Sequence, residues 1–460
     1  MPNTIVALAT PIGRSGIGVV RMSGGHALAI TGKLTNEPNY APLPRTAVLK
    51  SLYDRTSGEA IDEAIITYFQ SPNSFTGEDV VEISCHGSPV LLRQVIDICL
   101  ANDARLAEPG EFTLRALANG RIDLAEAEAI RDLIDAQTVA SVRQAVKQLR
   151  GEFSHQLQPL KDELLNIIVV LESALEFVED DLPPTQIERI NTSLTAISQD
   201  IGLIADTFKA GHLIREGLRI AIVGRPNVGK SSLFNALLGS ERAIVTEIAG
   251  TTRDQIHERF TINDIPISLI DTAGLRDTAD KVERIGVERS RALMADADLV
   301  VVMLDASEPL TDEDHAILES VKELNYIVAL NKLDKMPSFD IDHIASAEGS
   351  KLSYLRARIT PLSAKTGEGL NELRQAIINP FRPEDMSTSG FLVTDARHHD
   401  LLVRAKAEIE SSLEQLSKRM SEEIVLIGLH NALRYLGQIT GETTTEDVLT
   451  RIFATFCIGK

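Results

Sequence analysis

Gly224-Arg225-Pro226-Asn227-Val228-Gly229-Lys230-Ser231 carries the spacing G-x-x-x-x-G-K-[ST] of a loop that wraps phosphate groups. Its glycines let backbone N–H groups turn toward an anion, and a helix starting at its end adds partial positive charge. Lys230 is placed to reach β- and γ-phosphates, and Ser231 to ligate Mg2+. The expected contacts of the loop are Asn227, Val228, Gly229, Lys230, Ser231 and Ser232. A plain glycine-rich turn is the competing reading. The apolar run Leu218–Val223 before the loop and the helix-like run from Ser232 to Leu238 favour the phosphate site.

Three further motifs follow in order. Asp271-Thr272-Ala273-Gly274 closes a later apolar run; its carboxylate can hold Mg2+ through water, and the Gly274 N–H can sense a γ-phosphate. Asn331-Lys332-Leu333-Asp334 also closes an apolar run. Guanine offers N1–H and an amine on one edge, and the Asp334 carboxylate accepts both; adenine presents an acceptor there and is repelled. Ser363-Ala364-Lys365 supplies loop backbone for the guanine carbonyl. Together the four motifs read as a GTP site. Leu275 stands where small GTPases of the Ras type carry a glutamine that orients the attacking water. Leucine cannot do this. Either hydrolysis is poor, or another group positions the water and another charge steadies the transition state.

These motifs need strands to carry them. Leu218–Val223, Ile265–Ile270, Leu299–Leu304, Ile327–Leu330 and Arg358–Leu362 read as strands alternating with helices, a doubly wound α/β pattern. Upstream, Leu124, Ala127, Ile130, Leu133 and Ile134 recur at helical spacing, and the pattern continues through Val139, Val142, Val146 and Leu149. Further runs span Leu160 to Leu175 and Ile187 to Ile204, separated by Pro183-Pro184. Beyond Pro380 and Pro383 the helical period returns at Leu402, Ala405, Ile409, Leu413 and Leu416. The α/β domain therefore reads as inserted into a discontinuous helical bundle. Gly18–Met22, Glu63–Phe69 and Val80–Ser84, divided by turn signals, suggest an α+β N-terminal domain. The expected fold is multidomain, α/β plus all-α: residues 1–118 α+β, 119–215 and 383–460 helical, and 216–382 a Ras-like doubly wound phosphate-loop domain.

At 460 residues the chain exceeds one core, and three domains is the prior. No run approaches the roughly 18 apolar residues of a membrane span, and Met1–Ala9 lacks the features of a secretory signal. Three cysteines, an odd and sparse number, argue for a reducing, cytoplasmic setting. A net charge of −20 means that a nucleic-acid partner must be held by local basic patches. Tryptophan is absent and aromatics are 4%, which leaves little for stacking on single strands.

Gly250-Thr251-Thr252-Arg253-Asp254, Leu275, Val282–Glu288 and the terminal Phe456-Cys457-Ile458-Gly459-Lys460 together resemble the tRNA modification GTPase family MnmE (TrmE). Ala9-Thr10-Pro11, Gly16–Arg21, Ser71–Glu78 and Asp123–Glu128 extend the resemblance over the whole chain. It implies an N-terminal domain that binds 5-formyl- or methylene-tetrahydrofolate and mediates a homodimer, a helical domain, and an inserted G domain. It also implies an FAD-containing partner, MnmG, in a heterotetramer that modifies C5 of the wobble uridine (position 34) of certain tRNAs, adding an aminomethyl-type group such as carboxymethylaminomethyl. No stable membrane association is expected. K+ would stimulate hydrolysis by promoting G-domain dimerisation, held by Asn227, Thr246, Ile248 and Thr251. Thr252 would join Ser231 on Mg2+, and Glu247, Ala249 and Gly250 complete the nucleotide contacts. Glu283 aligns with the family's catalytic glutamate and would orient water; a solvated helix carboxylate is the alternative. Arg253 and Arg276 are weaker candidates as charges supplied in cis. Arg21, Glu78, Arg121 and Lys460 fall at the folate site, although the family often has lysine where Arg121 stands. Cys457 has three readings: a chemical role at the folate site, a small residue closing the last helix, or a prenylated terminus, which Gly459-Lys460 fits poorly.

Overall fold

The computed structural model describes residues 3–54, 57–176, 183–239, 258–270, 297–336, 359–381, 390–442, 449 and 452–459. The chain divides into two compact units, one of residues 1–134, 146–198 and 404–460, the other of 135–145 and 199–403.

The first unit opens with β1 (Thr4–Leu8), β2 (Ser15–Ser23), α1 (Ala27–Leu34), β3 (Ala47–Tyr53), β4 (Ala60–Phe69), β5 (Val80–Gly87), α2 (Pro89–Leu100), β6 (Ala104–Leu106) and α3 (Glu111–Ala118). The strands form one sheet in the order β3-β4-β5-β2-β1-β6, antiparallel except where β1 meets β6. Period-two burial turns Val20, Met22, Ile66, Val81 and Ile83 onto α1 and α2, and Ile5 and Ala7 toward Phe112 of α3. This is the expected α+β arrangement. Cys85 and Cys99 lie in the larger core, where burial pushes both thiols up to about 12.

α4 (Leu124–Asp135) starts on a reciprocal cap: Glu126 N–H donates to Asp123 at 2.7 Å, and Asp123 N–H to Glu126 at 2.8 Å. The single run expected from Leu124 to Leu149 is broken. α5 (Val139–Leu149) starts afresh because Thr138 caps it, its Oγ1 accepting from Ser141 N–H at 3.1 Å. α6 (Glu152–Glu176), α7 (Pro184–Asp206) and α8 (Phe208–Glu216) follow.

The second unit carries β7 (Leu218–Val223), α9 (Lys230–Leu238), β8 (Glu258–Ile262), β9 (Ile265–Ile270), β10 (Leu299–Asp305), α10 (Asp312–Ser320), β11 (Tyr326–Asn331), β12 (Ile359–Pro361) and α11 (Leu370–Ile378). The five expected strands are present, each within a residue or two of its forecast ends. Their order is β12-β11-β10-β7-β9-β8, parallel apart from β8. All seven residues of β10 are buried. Leu299, Val301 and Met303 pack with α9 and α11, whereas Val300, Val302 and Leu304 pack with α10. Helices on both faces make the sheet doubly wound, and such sheets bind ligands beyond the carboxyl ends of their strands.

α12 (Ala396–Ser417) and α13 (Glu422–Thr440) follow. In the first unit α13 packs on α6, each burying one stripe: Leu164, Ile168 and Leu171 on α6, Val425, Leu429, Leu436 and Ile439 on α13.

Candidate functional site

Two groups of polar residues stand out, one in each unit. In the second unit β7 ends and the chain turns through Gly224–Gly229 into α9. Asn227 adopts a left-handed conformation at φ 65, and Gly229, the residue before α9, sits at φ 102. A Cβ on Gly229 would lie 2.3 Å from the Asn331 amide nitrogen, so only glycine fits. Lys230 opens α9. Its Nζ donates to the carbonyls of Gly224 at 2.7 Å and Arg225 at 3.0 Å. Burial holds this ammonium below the usual lysine range, so an incoming anion meets a poorly solvated cation.

The guanine motifs are fastened to this loop by one side chain. Asn331, 3% exposed, donates from Nδ2 to Val228 O at 2.8 Å and accepts the Ala364 N–H on Oδ1 at 2.9 Å. Asp334 accepts from the Ser363 hydroxyl at 2.7 Å. Lys332, left-handed at φ 72, pairs with Asp305 at 2.6 Å. Burial alone would raise the Asp305 carboxyl, but Lys332 and Ser307 hold it low. The structure thus brings Asn227, Val228, Gly229, Lys230, Ser231, Ser232, Asn331, Lys332, Asp334, Ser363, Ala364 and Lys365 to the carboxyl ends of β7 and β11 and the loop after β12. A cradle of backbone N–H groups, a half-buried lysine and a serine at a helix start suit a magnesium-bound phosphate chain. Thr246, Glu247, Ile248, Ala249, Gly250, Thr251, Thr252, Asp271, Thr272, Ala273, Gly274, Leu275 and Glu283, with Arg253 and Arg276, lie outside the described residues.

In the first unit Arg21 and Glu82 face each other across β2 and β5 and pair at 2.7 Å. Arg21 also donates to Gly459 O at 3.3 Å, bringing the C-terminal segment onto the N-terminal sheet. That segment is fastened again by a bridge between Pro109 and Ile458 and by the Gly110 N–H to Cys457 O at 3.4 Å. A Cβ on Gly459, at φ 100, would lie 2.3 Å from Leu8 O, so glycine is required here too. Cys457 itself is exposed. Lys460 lies outside the described residues.

Glu78 accepts from the Ser23 hydroxyl at 2.7 Å and from Arg115 at 2.9 Å, and its side chain keeps 16% exposure. Arg115 is 0% exposed at its side chain; it also donates to Glu111 and to Asn3 O, each at 2.9 Å. Burial pushes the Glu111 carboxyl up, but Arg105, the Glu108 N–H and Arg115 together hold it below the usual carboxylate range. Sequence reading passed over Arg105, Glu111 and Arg115 because charged residues are mostly exposed. The i,i+4 spacing of Glu111 and Arg115 was the available signal. Arg121 runs beside Gly77, its Cγ 3.3 Å from where a Cβ on that glycine would lie, and it lines a cavity of about 560 Å3 with Arg45, Phe69, Asn73 and Phe75. Two arginines and two phenylalanines in one lining suit an anionic aromatic ligand.

Comparison with known proteins gives these groups a context. A family model described as the MnmE helical domain matches residues 124–457, and one described as the GTP-binding protein TrmE N-terminus matches residues 4–121. A tRNA modification GTPase MnmE from Koribacter versatilis is 44% identical over 100% of both chains. Those of Aquifex aeolicus and Alkaliphilus metalliredigens are 44% and 41% identical, again over 100% of both. The chain belongs to the tRNA modification GTPase MnmE family.

Membership of the MnmE family agrees with the resemblance drawn from the terminal and loop motifs. Among solved structures, the FeoB G-domain of Methanococcus jannaschii is 28% identical over 36% of this chain and 98% of its own, with a TM-score of 0.26. Among the described residues, no helix is long and apolar enough to cross a membrane.

Proposed function

We propose that this chain hydrolyses GTP at the loop Gly224–Ser231, as befits a member of the MnmE family of GTPases in tRNA modification, and that the cycle serves modification at C5 of the wobble uridine. Asn331 carries this reading, since one buried amide ties the phosphate loop to both guanine motifs. Lys230 would leave the Gly224 and Arg225 carbonyls for the β- and γ-phosphates, and the Asp334 carboxylate would accept from guanine. Ser231 and Thr252 would hold Mg2+, with Asp271 behind water; when bound, Mg2+ offsets charge on the phosphates. Asn227, Thr246, Ile248 and Thr251 would hold K+, which supplies the positive charge an arginine brings elsewhere. Glu283 would orient the water that Leu275 cannot.

The N-terminal group would take a reduced folate as one-carbon donor. Glu78 offers a carboxylate edge to pterin N–H donors; Arg21, Arg121 and Lys460 would answer the carboxylates of the tail. The division into an N-terminal domain (1–118), a discontinuous helical domain (119–215 and 383–460) and a G domain (216–382) fits this assignment. A homodimer, a flavoprotein partner of the MnmG type, tRNA and a cytoplasmic location complete the proposal. Hydrolysis measured in KCl and in NaCl tests the cation assignment: severalfold faster turnover in KCl is expected, and equal rates would end it. Calorimetry with 5-formyltetrahydrofolate tests the folate site independently: heat of binding lost in Glu78→Gln is expected, and no heat with the unaltered chain would remove the site.

A further inference from the structure

The second residue of the phosphate loop makes contacts that nucleotide chemistry does not require. Arg225 donates from Nη2 to Glu308 Oε2 at 2.7 Å, and its Nε lies 3.3 Å from Asp314 Oδ2. Asp314 is 1% exposed, and its Oδ2 also accepts from the N–H and hydroxyl of Thr311 at 2.9 and 2.8 Å. This is the capping box that starts α10. The second oxygen of Asp314 and the Nε of Arg225 are both buried without a hydrogen-bond partner, so the guanidinium compensates the carboxylate by charge at 3.3 Å and not through a hydrogen bond. Glu308 is 56% exposed and its share is screened by water. The hydrogen bond to Glu308 comes first among the causes that raise the guanidinium above its ordinary range; burial opposes it, and Asp314 adds to it.

The backbone of the same residue faces the chemistry. The carbonyls of Gly224 and Arg225 hold the Lys230 ammonium that the phosphates will take. Arg225 therefore joins α10, through its side chain, to the lysine, through its carbonyl. Its guanidinium is spent on two carboxylates of its own chain, which sets it apart from an arginine that reaches a transferring phosphate. A loop of glycines and a left-handed asparagine has much conformational freedom to lose on binding, and a tether formed beforehand reduces that loss.

We propose that Arg225 is a positioning residue: anchored on Asp314 and Glu308, it sets the curve of Gly224–Asn227 that receives a guanosine di- or triphosphate. It governs affinity for the phosphate chain and leaves the rate of γ-phosphate cleavage alone. This rests on reading the loop as the GTP site. If the unaltered chain binds no GDP, that reading fails, and the role of Arg225 fails with it.

The test uses the full-length chain, a fluorescent GDP and a fluorescent non-hydrolysable GTP analogue, with steady-state hydrolysis alongside. Arg225→Ala should weaken both nucleotides by about tenfold and raise KM in parallel, with kcat within about twofold of the parent. Arg225→Lys should recover part of the loss, because one ammonium still reaches one carboxylate. Unchanged affinity in Arg225→Ala overturns the proposal. So does a fall in kcat at constant affinity, which would place the guanidinium on the transition state. Should the alanine variant fail to fold, Arg225→Lys and Asp314→Asn decide: weakened GDP binding in either supports the tether, and parental affinity in both refutes it.

Discussion

Replacing Asn331 by alanine should loosen the nucleotide site more than any single change at a nucleotide-facing position. Its amide is 3% exposed and makes two bonds of ordinary length, 2.8 Å to Val228 O and 2.9 Å from Ala364 N–H. Removing it strands a carbonyl of the phosphate loop and an N–H of the guanine loop. A stranded buried polar group costs about 1–3 kcal/mol, so the two together cost about 2–6 kcal/mol before water enters the gap. With water taking one of them, about 1–3 kcal/mol remains, equivalent to roughly fivefold to a hundredfold in an equilibrium constant. Because the amide ties motifs to one another, the loss should divide between folding and binding. GDP affinity should fall severalfold, and the second unit should melt several degrees earlier. Fluorescent GDP titration and a melt in the absence of nucleotide measure both. GDP affinity within twofold of the parent together with an unchanged melt would refute the bridge.

Under native conditions Ellman's reagent should label Cys457 promptly and leave Cys85 and Cys99 untouched, since only the thiolate reacts and burial pushes both of those thiols up to about 12. Cys457→Ser should abolish the prompt phase; prompt labelling that survives it contradicts the core placement. Glu111 has a folded-state pKa below its unfolded value, so its contribution is fully present above the ordinary glutamate range near ~4.3 and is lost as pH falls through the folded value. Glu111→Gln should therefore flatten the acid limb of the N-terminal unit's stability curve, and an acid limb as steep as the parent's would show that the pair is not coupled to folding. Glu283→Ala should keep GTP affinity and lose turnover by about a hundredfold, as loss of a water-orienting group does. Parental turnover would return Glu283 to the solvated surface.

Phosphate chemistry leaves few choices of residue type, so Gly224–Ser231 was legible at once. Strands buried on both faces were legible too, because Leu299–Asp305 is an apolar run bounded by turns. The split between α4 and α5 was not, since Thr138 and Ser141 interrupt the backbone without interrupting the apolar period. Arg115 escaped notice for a different reason. A lone arginine in a helix reads as solvated, and only the fold reveals Glu78, Glu111 and Asn3 around it. Arg225 occupies a variable position of its motif, so no pattern marks its link to Asp314, 89 positions away by subtraction of their residue numbers. The return of Ile458 to Pro109 is likewise a property of the folded chain alone.

The nucleoside composition of bulk tRNA from cells with and without this chain tests its role in tRNA modification most directly. Loss of the C5-modified wobble uridine, restored by the parent chain and left unrestored by Lys230→Ala, is the predicted result. An unchanged nucleoside profile in cells lacking the chain would contradict it.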